Sequence, residues 1–546
     1  MRILVISDLL PPRMLGGFEL ACLNLSRGLR DAGHDVLILT TPTDRQPAEA
    51  ESGVDRALNL RELYGVVGLR DTQLAKFQVH ESRISNQTNS LIVLDRIASF
   101  RPDHVVMFNL VGIGGLGIID TVNLTGTPWT LNLGDNVPGE LLLDAPPEVV
   151  NVYSPAGNDI FSTGQYAIVS QTLADEVVST GVTLGRHEII PRGVLYPDIE
   201  RTRPYRDGGH TRFVAAGVLS PHKGVDIMID AAADLVDSGV GNFSLELYGG
   251  GLIDHYTEMI RERNLAGHVF VKGRVSQADL FAVHARSDAF LFPTWEREPG
   301  ASAPFEAASA GCVPIMTANC GPAERMVHGI HALKIERNAQ SLGHEMRRVI
   351  SGEVDLELMF DAGRRLAHGD LSFSLSVERL SNLIKSAAPS TSAVLDFDEI
   401  AKEVIRKDTS AMGALYTTFF NPTHDEDHPE DATMDEHRDP TAPVNIVAPS
   451  SVWSRMTSAP VRVARRVLRP LVEEQLLAPR ATLAEQARSN RKAQESIDAR
   501  NAALVERELA ADAREGEIRS LIEGMKKDLL ATNLRVTHIE ETDKDA

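Results

Sequence analysis

The chain has 546 residues, 43% of them hydrophobic and 24% charged, and a formal net charge of −21. A single hydrophobic core stops growing near about 250–300 residues, so two or more domains are expected; the negative charge argues against nucleic acid as a general partner, because phosphate binding needs a basic face. Cys22, Cys312 and Cys320 are an odd set without metal-ligand spacing, which argues against a disulfide framework and fits a reducing, cytoplasmic compartment.

The opening MRILVISDLL carries one positive charge and a short apolar run that meets Asp8, and reads as a buried strand and not as a signal peptide. No later run approaches about 18 uninterrupted apolar residues, so no membrane span is expected. Over residues 1–200, short apolar runs (ILVIS, DVLILT, HVVMF, PWTLN, YAIVS) alternate with amphipathic stretches such as FELACLNLSRGLRDAG. Continuous apolar strands separated by helices predict a parallel sheet covered on both faces, a Rossmann-like doubly wound domain.

RTRPYRDGGH, 201–210, breaks the pattern as a linker does, with Pro204 and the pair Gly208-Gly209. The alternation restarts with RFVAAGV, SLELYG, HVFVKG, AFLFP and VPIMT as strands, predicting a second doubly wound domain over 201–370. SFSLSVERLSNLIKSA, 372–387, is one more amphipathic helix, and 388–450 reads as an acidic, disordered linker. Within it, His424, His428 and His437 read as part of a solvated acidic segment, since no core fixes them as metal ligands.

Within 451–480, a basic amphipathic helix is expected at 455–477, with Val461, Ala464, Val467, Leu468 and Leu471 on one side and Arg462, Arg465, Arg466 and Arg469 on the other. Such a face suits either the anionic inner face of a membrane, as a peripheral contact, or docking on the chain's own domains. From 481 to 546 a seven-residue step through Leu483, Asn490, Ile497, Leu504, Ala511, Ile518, Met525, Thr532 and Ile539 is mostly apolar and suggests a coiled coil and homo-oligomerisation, weakened by Gly516 and Gly524.

Two parallel-sheet domains place the carboxyl ends of both sheets on either side of a cleft, where ligands of open α/β sheets bind. Three loops that follow strands carry candidate chemistry. In PPRMLGGFEL the pair Gly16-Gly17 precedes a helix, where N–H groups and the helix dipole meet an anion. In GVLSPHKGVD, Lys223 can aim its ammonium at a diphosphate. In EREPGASAPFEAASAGCVP, Glu298 and Glu306 stand eight residues apart.

On a continuous helix that spacing is about 12 Å along the axis, whereas a retaining glycosidase needs its carboxylates about 5 Å apart. The two glutamates therefore suit the two ends of one extended ligand: carboxylates accept hydrogen bonds from vicinal hydroxyls, as in the ribose and hexose of a nucleotide sugar. Gly300, Ala301 and Ser302, between them, leave the backbone open to the diphosphate.

The ordered set PPRMLGGFEL, HVVMFNLVGIGG, LNLGDNVPG, EIIPRGV, GVLSPHKGVD, VKGRVSQADL and the Glu-x7-Glu element with EAASAGCVPIMTANCGPAE, across residues 1–387, resembles the retaining glycosyltransferases of family 4, which have the two-domain GT-B fold. The resemblance implies an enzyme that moves a hexose from a nucleoside diphosphate sugar to a saccharide or glycolipid acceptor with retention and no obligatory metal, in cell-surface polysaccharide or glycolipid synthesis. It implies that Lys223 neutralises the leaving diphosphate, that Glu298 contacts the donor sugar and Glu306 the ribose, that Arg274 and Val275 line the base, and that 371–387 returns to the first domain. It also implies attack on the face the diphosphate leaves, with no fixed protein nucleophile.

The chain departs from that pattern in four places. Val218 stands where the family has an arginine, Phe108 where many members have histidine, Gly134-Asp135 in place of His-Asp, and Glu-Pro-Gly-Ala in place of Glu-x-Phe-Gly. Asp135 is then the candidate for orienting acceptor or donor sugar. The losses leave two alternatives: a GT-B scaffold that assembles partners through its coiled coil, and a nucleotide-sugar epimerase.

Overall fold

The computed structural model describes residues 1–13, 17–43, 52–61, 73–154, 158–387 and 395–420. The acidic segment at 424–439, the basic helix at 455–477 and the coiled coil at 483–546 lie outside the described residues.

Seven parallel strands form the first sheet: β1 (Arg2–Ile6), β2 (Asp35–Leu39), β3 (Val54–Asp55), β4 (His104–Met107), β5 (Trp129–Leu133), β6 (Gln165–Ile168) and β7 (Arg186–Ile189), in the order β3-β2-β1-β4-β5-β6-β7. Six parallel strands form the second: β8 (Thr211–Ala216), β9 (Phe243–Tyr248), β10 (Val269–Gly273), β11 (Ala289–Phe292), β12 (Val313–Thr317) and β13 (Leu333–Ile335), in the order β10-β9-β8-β11-β12-β13. The fold is a pair of doubly wound α/β domains, as the alternation of apolar runs predicts.

Successive side chains of a strand point to opposite faces, and both faces are covered. Leu4 and Ile6 enter one apolar cluster while Ile3 and Val5 enter another. In the second sheet Phe213 and Ala215 separate from Val214 in the same way. This two-sided burial is why β1, β4 and β11 read as unbroken apolar runs. β3 and β13, of two and three residues, are too short to carry a period, and β7 is an edge strand with exposed Arg186 and His187.

Helix Phe373–Lys385 follows the second sheet in sequence but packs on the first, sending Val377, Leu380, Leu383 and Ile384 into the cluster of Ile3 and Val5. Ser376 Oγ donates to the carbonyl of Pro191 at 2.9 Å, and His34 Nε2 meets Ser381 Oγ at 2.9 Å.

The loose linker expected at 201–210 is a clamped segment. Fully buried Asp288 receives Arg203 Nη2 at 2.6 Å, Arg201 Nη2 at 3.4 Å, and the backbone N–H groups of Arg206 at 3.1 Å and Arg212 at 2.8 Å. Arg201 also lies 3.5 Å over the ring of Tyr205. A buried carboxylate persists only when paired and hydrogen-bonded, and the arginines of the linker are its partners.

The expectation of an irregular linker over 388–450 is corrected for part of its length. Phe397–Phe420 is a 24-residue helix packed on the first domain. Ala401, Val404, Ala411 and Leu415 are buried and, with Asp408, form a stripe at steps of three and four residues. Phe419 meets Phe77 edge-on at 6.4 Å. The stripe is interrupted by a carboxylate, and that hid it: buried Asp408 is tolerated because Tyr153 donates its hydroxyl to Oδ1 at 2.5 Å. Next to it, Lys407 Nζ donates to Asp120 at 2.8 Å. Among the described residues no helix is long and apolar enough to cross a membrane.

Candidate active site

Strand order reverses between β1 and β4 in the first sheet and between β8 and β11 in the second. Crevices at such switch points are where doubly wound sheets bind ligands. Gly17 follows β1, Lys223 follows β8 and Glu298 follows β11. Between the two sheets lies a cavity of about 380 Å³ whose walls include Gly17, Gly134, Arg192, Gln277, Ser302 and Glu306.

Lys223 ends a short 3-10 turn, Pro221–Lys223, and Gly224 then opens helix Val225–Asp237 at φ 73°. A side chain at 224 would run into the carbonyl of Pro293, so glycine is required there on two counts. The turn delivers Lys223 Nζ to Glu298 Oε2 in a direct ion pair. Glu298, 7% exposed, also accepts from Thr294 Oγ1 at 3.3 Å.

Glu306 is on another element, the first turn of helix Ala303–Ser309, while Glu298 precedes the helix in the loop. It is likewise 7% exposed and accepts from Ser302 Oγ at 2.7 Å. Burial pushes its carboxyl pKa upward, against the lowering by Ser302, Gln277 and the charge of Arg192. Gly300 is pressed against Val169 of the first domain, and Ala301 and Ser302 are half-buried.

The remaining predicted residues are more scattered. Gly17 lines the cavity, whereas Gly16 lies outside the described residues. Asp135 is exposed, and its Oδ1 accepts from the N–H of Asn136 at 2.8 Å. Arg274 and Val275 are exposed on the loop after β10, with the guanidinium lying on Gly250. Val218 is 54% exposed, and Phe108 is a core residue 5.7 Å from Phe18.

Sequence reasoning gave no role to Arg192 of EIIPRGV, which the fold turns into the cavity beside Gly17 and Gly134. Burial lowers its pKa from the usual guanidinium range, while the carboxylates of Glu298, Glu19, Glu306 and Asp135 act the other way. Also unforeseen are two ties across the cleft. Arg297, next to Glu298 in the loop, pairs with Glu176 at 2.6 Å. Glu324 accepts the N–H groups of Gln171 at 2.8 Å and Thr172 at 2.7 Å, at the start of helix Gln171–Ser179, a favourable place for a carboxylate. No spacing rule pairs residues so distant in sequence.

Residues 199–365 match the sequence family described as Glycosyl transferases group 1. That segment carries Lys223, Glu298 and Glu306 and spans the second sheet. The GDP-mannose-dependent alpha-(1-6)-phosphatidylinositol monomannoside mannosyltransferase of Mycobacterium tuberculosis is 29% identical over 200 residues, covering 33% of this chain and 49% of that protein. The chain thus spans about half the length of that curated relative. Among solved structures, the sucrose-phosphate synthase of Thermosynechococcus elongatus is similar at a TM-score of 0.54 and 16% identity, over 70% of this chain and 98% of that one. The Anabaena HepE protein in complex with UDP is similar at 0.53 and 16%, over 71% of this chain and 100% of that one. These likenesses establish the fold.

Proposed function

We propose that the chain is a retaining glycosyltransferase that moves a hexose from a nucleoside diphosphate sugar to a saccharide or glycolipid hydroxyl in cell-surface polysaccharide or glycolipid synthesis. The observation that carries the proposal is that Lys223 pairs with Glu298 in the loops after β8 and β11, that Glu306 lines the cavity between the sheets, and that the charges of both glutamates reach Arg192 in that cavity, with Lys223, Glu298 and Glu306 all inside the segment that matches the glycosyltransferase family. In this reading the ion pair of Lys223 and Glu298 is the resting form of the donor site. Lys223 turns to the leaving diphosphate, and Glu298, relieved of part of that contact, accepts from hydroxyls of the donor sugar. Glu306 accepts from the ribose.

Bond exchange on one face of the sugar needs little covalent help from the protein. It needs positive charge fixed where the leaving oxygen becomes negative, in a cleft that excludes water. The half-buried Lys223, held by the turn before Gly224, meets that need. Asp135, exposed at the carboxyl end of the first sheet, is proposed to orient the acceptor or donor sugar.

The test is calorimetric titration of UDP, GDP and ADP into the whole protein and its Glu306→Ala variant, followed by product analysis with the matching sugar nucleotides. Binding of one diphosphate, weakened in the variant by about tenfold or more as the loss of a charged hydrogen bond implies, and a new glycosidic bond are the expected results. Binding of none removes the donor reading in favour of a scaffold, and an isomerised free donor makes the protein an epimerase.

A further inference from the structure

If the cleft takes a nucleoside diphosphate, as proposed above, one lysine is a poor match for its charge, because Lys223 is already engaged by Glu298 and exposed Val218, on the same loop, adds none. We infer that Arg192 is the second cation of the diphosphate site and reaches the ligand from the first domain.

Three observations point there. The segment that mounts Arg192 is rigid. The N–H of Ile190 donates to the carbonyl of Ile168 at 2.8 Å, and Pro191 is held by Ser376. A Cβ on Gly193 would stand 2.5 Å from Ser376 Oγ. The arginine therefore stands on a fixed base with the helix Phe373–Lys385 behind it.

Space has also been cleared for its head. The guanidinium lies 5.6 Å over the ring of Phe18, and a Cβ at Gly134 would sit 2.6 Å from Nη2 and 2.5 Å from Phe18. A side chain at 134 would displace it. At Gly17 a Cβ would be 3.6 Å from Nη1, so the arginine abuts the start of the helix that follows β1.

The head is, finally, unengaged. Among the described residues it forms no hydrogen bond and no ion pair within 4 Å, although it lines the cavity with Glu306 and Ser302. Half-buried polar groups ordinarily find partners, and a planar fork of five donors suits two oxygens of a phosphate. Simple neutralisation of the nearby carboxylates would be served by a salt bridge to one of them. The fork instead stays open to the cavity, held over an aromatic ring.

The test uses the full chain as wild type, Arg192→Gln and Arg192→Lys, titrated with the diphosphate that the wild type binds, with inorganic pyrophosphate, and with the corresponding nucleoside. The glutamine variant is expected to lose about 10- to 100-fold in affinity for the diphosphate, and to lose pyrophosphate binding, while binding the nucleoside as the wild type does. The lysine variant, which keeps charge but not the fork, should fall between the two. Unchanged diphosphate affinity in the glutamine variant overturns the inference and leaves the donor reading intact. Equal losses for nucleoside and diphosphate also overturn it, since they mark a structural role. Should the glutamine variant fail to fold, the lysine variant decides by the same contrast. Failure of the wild type to bind any diphosphate removes the donor reading and this inference together.

Discussion

The two domains share a topology and differ in how they are completed. The second is closed by charge: Asp288 ties the entering chain through Arg201 and Arg203, and Lys223 meets Glu298 at the carboxyl end of the sheet. The first is closed by helices that arrive from far along the chain, Phe373–Lys385 on one face and Phe397–Phe420 on the other. Chemistry carried by charged loops on short local turns is written compactly in sequence. A domain finished by distant apolar stripes is not.

That contrast can be broken most directly at Lys223. Lys223→Ala is expected to lower turnover by about 10²–10³-fold, the scale for removing one preorganised charge from a leaving group, with a much smaller change in the thermal midpoint. Near-normal turnover in a folded variant would place the diphosphate elsewhere. Asp288→Ala addresses the other charged device of the same domain, with the effect on stability. It strands two arginines that are about one-tenth exposed, and unpairing buried ions of this kind costs about 3–5 kcal/mol. Urea denaturation followed at the second domain should show that loss. A change below about 1 kcal/mol would mean that the linker is not anchored through Asp288.

The same contrast explains what could be read in advance. Ten strands were legible as apolar runs because both faces of each sheet are covered; Lys223 and Glu298 stood out as candidates because they sit in loops that follow strands, and Glu306 because it opens the helix that comes next. Arg192 was illegible: nothing in Pro191-Arg192-Gly193 says that Phe18 and Gly134 meet it in space. Helix Phe397–Phe420 was missed because Asp408 interrupts its apolar stripe, and what makes that carboxyl acceptable is far away in sequence: Tyr153, 255 residues earlier, with Ser85 and Ser90. Long-range satisfaction of polar groups leaves no local pattern.

The first domain gives predictions of opposite character, in which stability moves and nucleotide binding does not. Leu415→Ala removes a fully buried side chain from the stripe of Phe397–Phe420 and is expected to cost about 2–5 kcal/mol, read as a lower thermal midpoint with unchanged diphosphate affinity. A parallel loss of affinity would show that the helix acts on the site as well as on the fold.

Asp408 supplies the smallest effect and a sign that can be worked out. Burial pushes its pKa from 3.8 up to about 6, against hydrogen bonding from Tyr153, with the nearby charge of Asp120 pushing the same way. The fold therefore favours the protonated acid. Its contribution to stability is fully present below pH 3.8 and is lost as pH rises through about 6. Asp408→Asn keeps an oxygen for Tyr153 and cannot ionise. Relative to wild type it should gain stability between pH 4 and pH 7, by up to about 3 kcal/mol for a shift of this size, and show no further relative gain above. Thermal midpoints of both proteins at pH 4.5 and 7.5 measure this, and a difference independent of pH would mean that Asp408 does not change its protonation on folding.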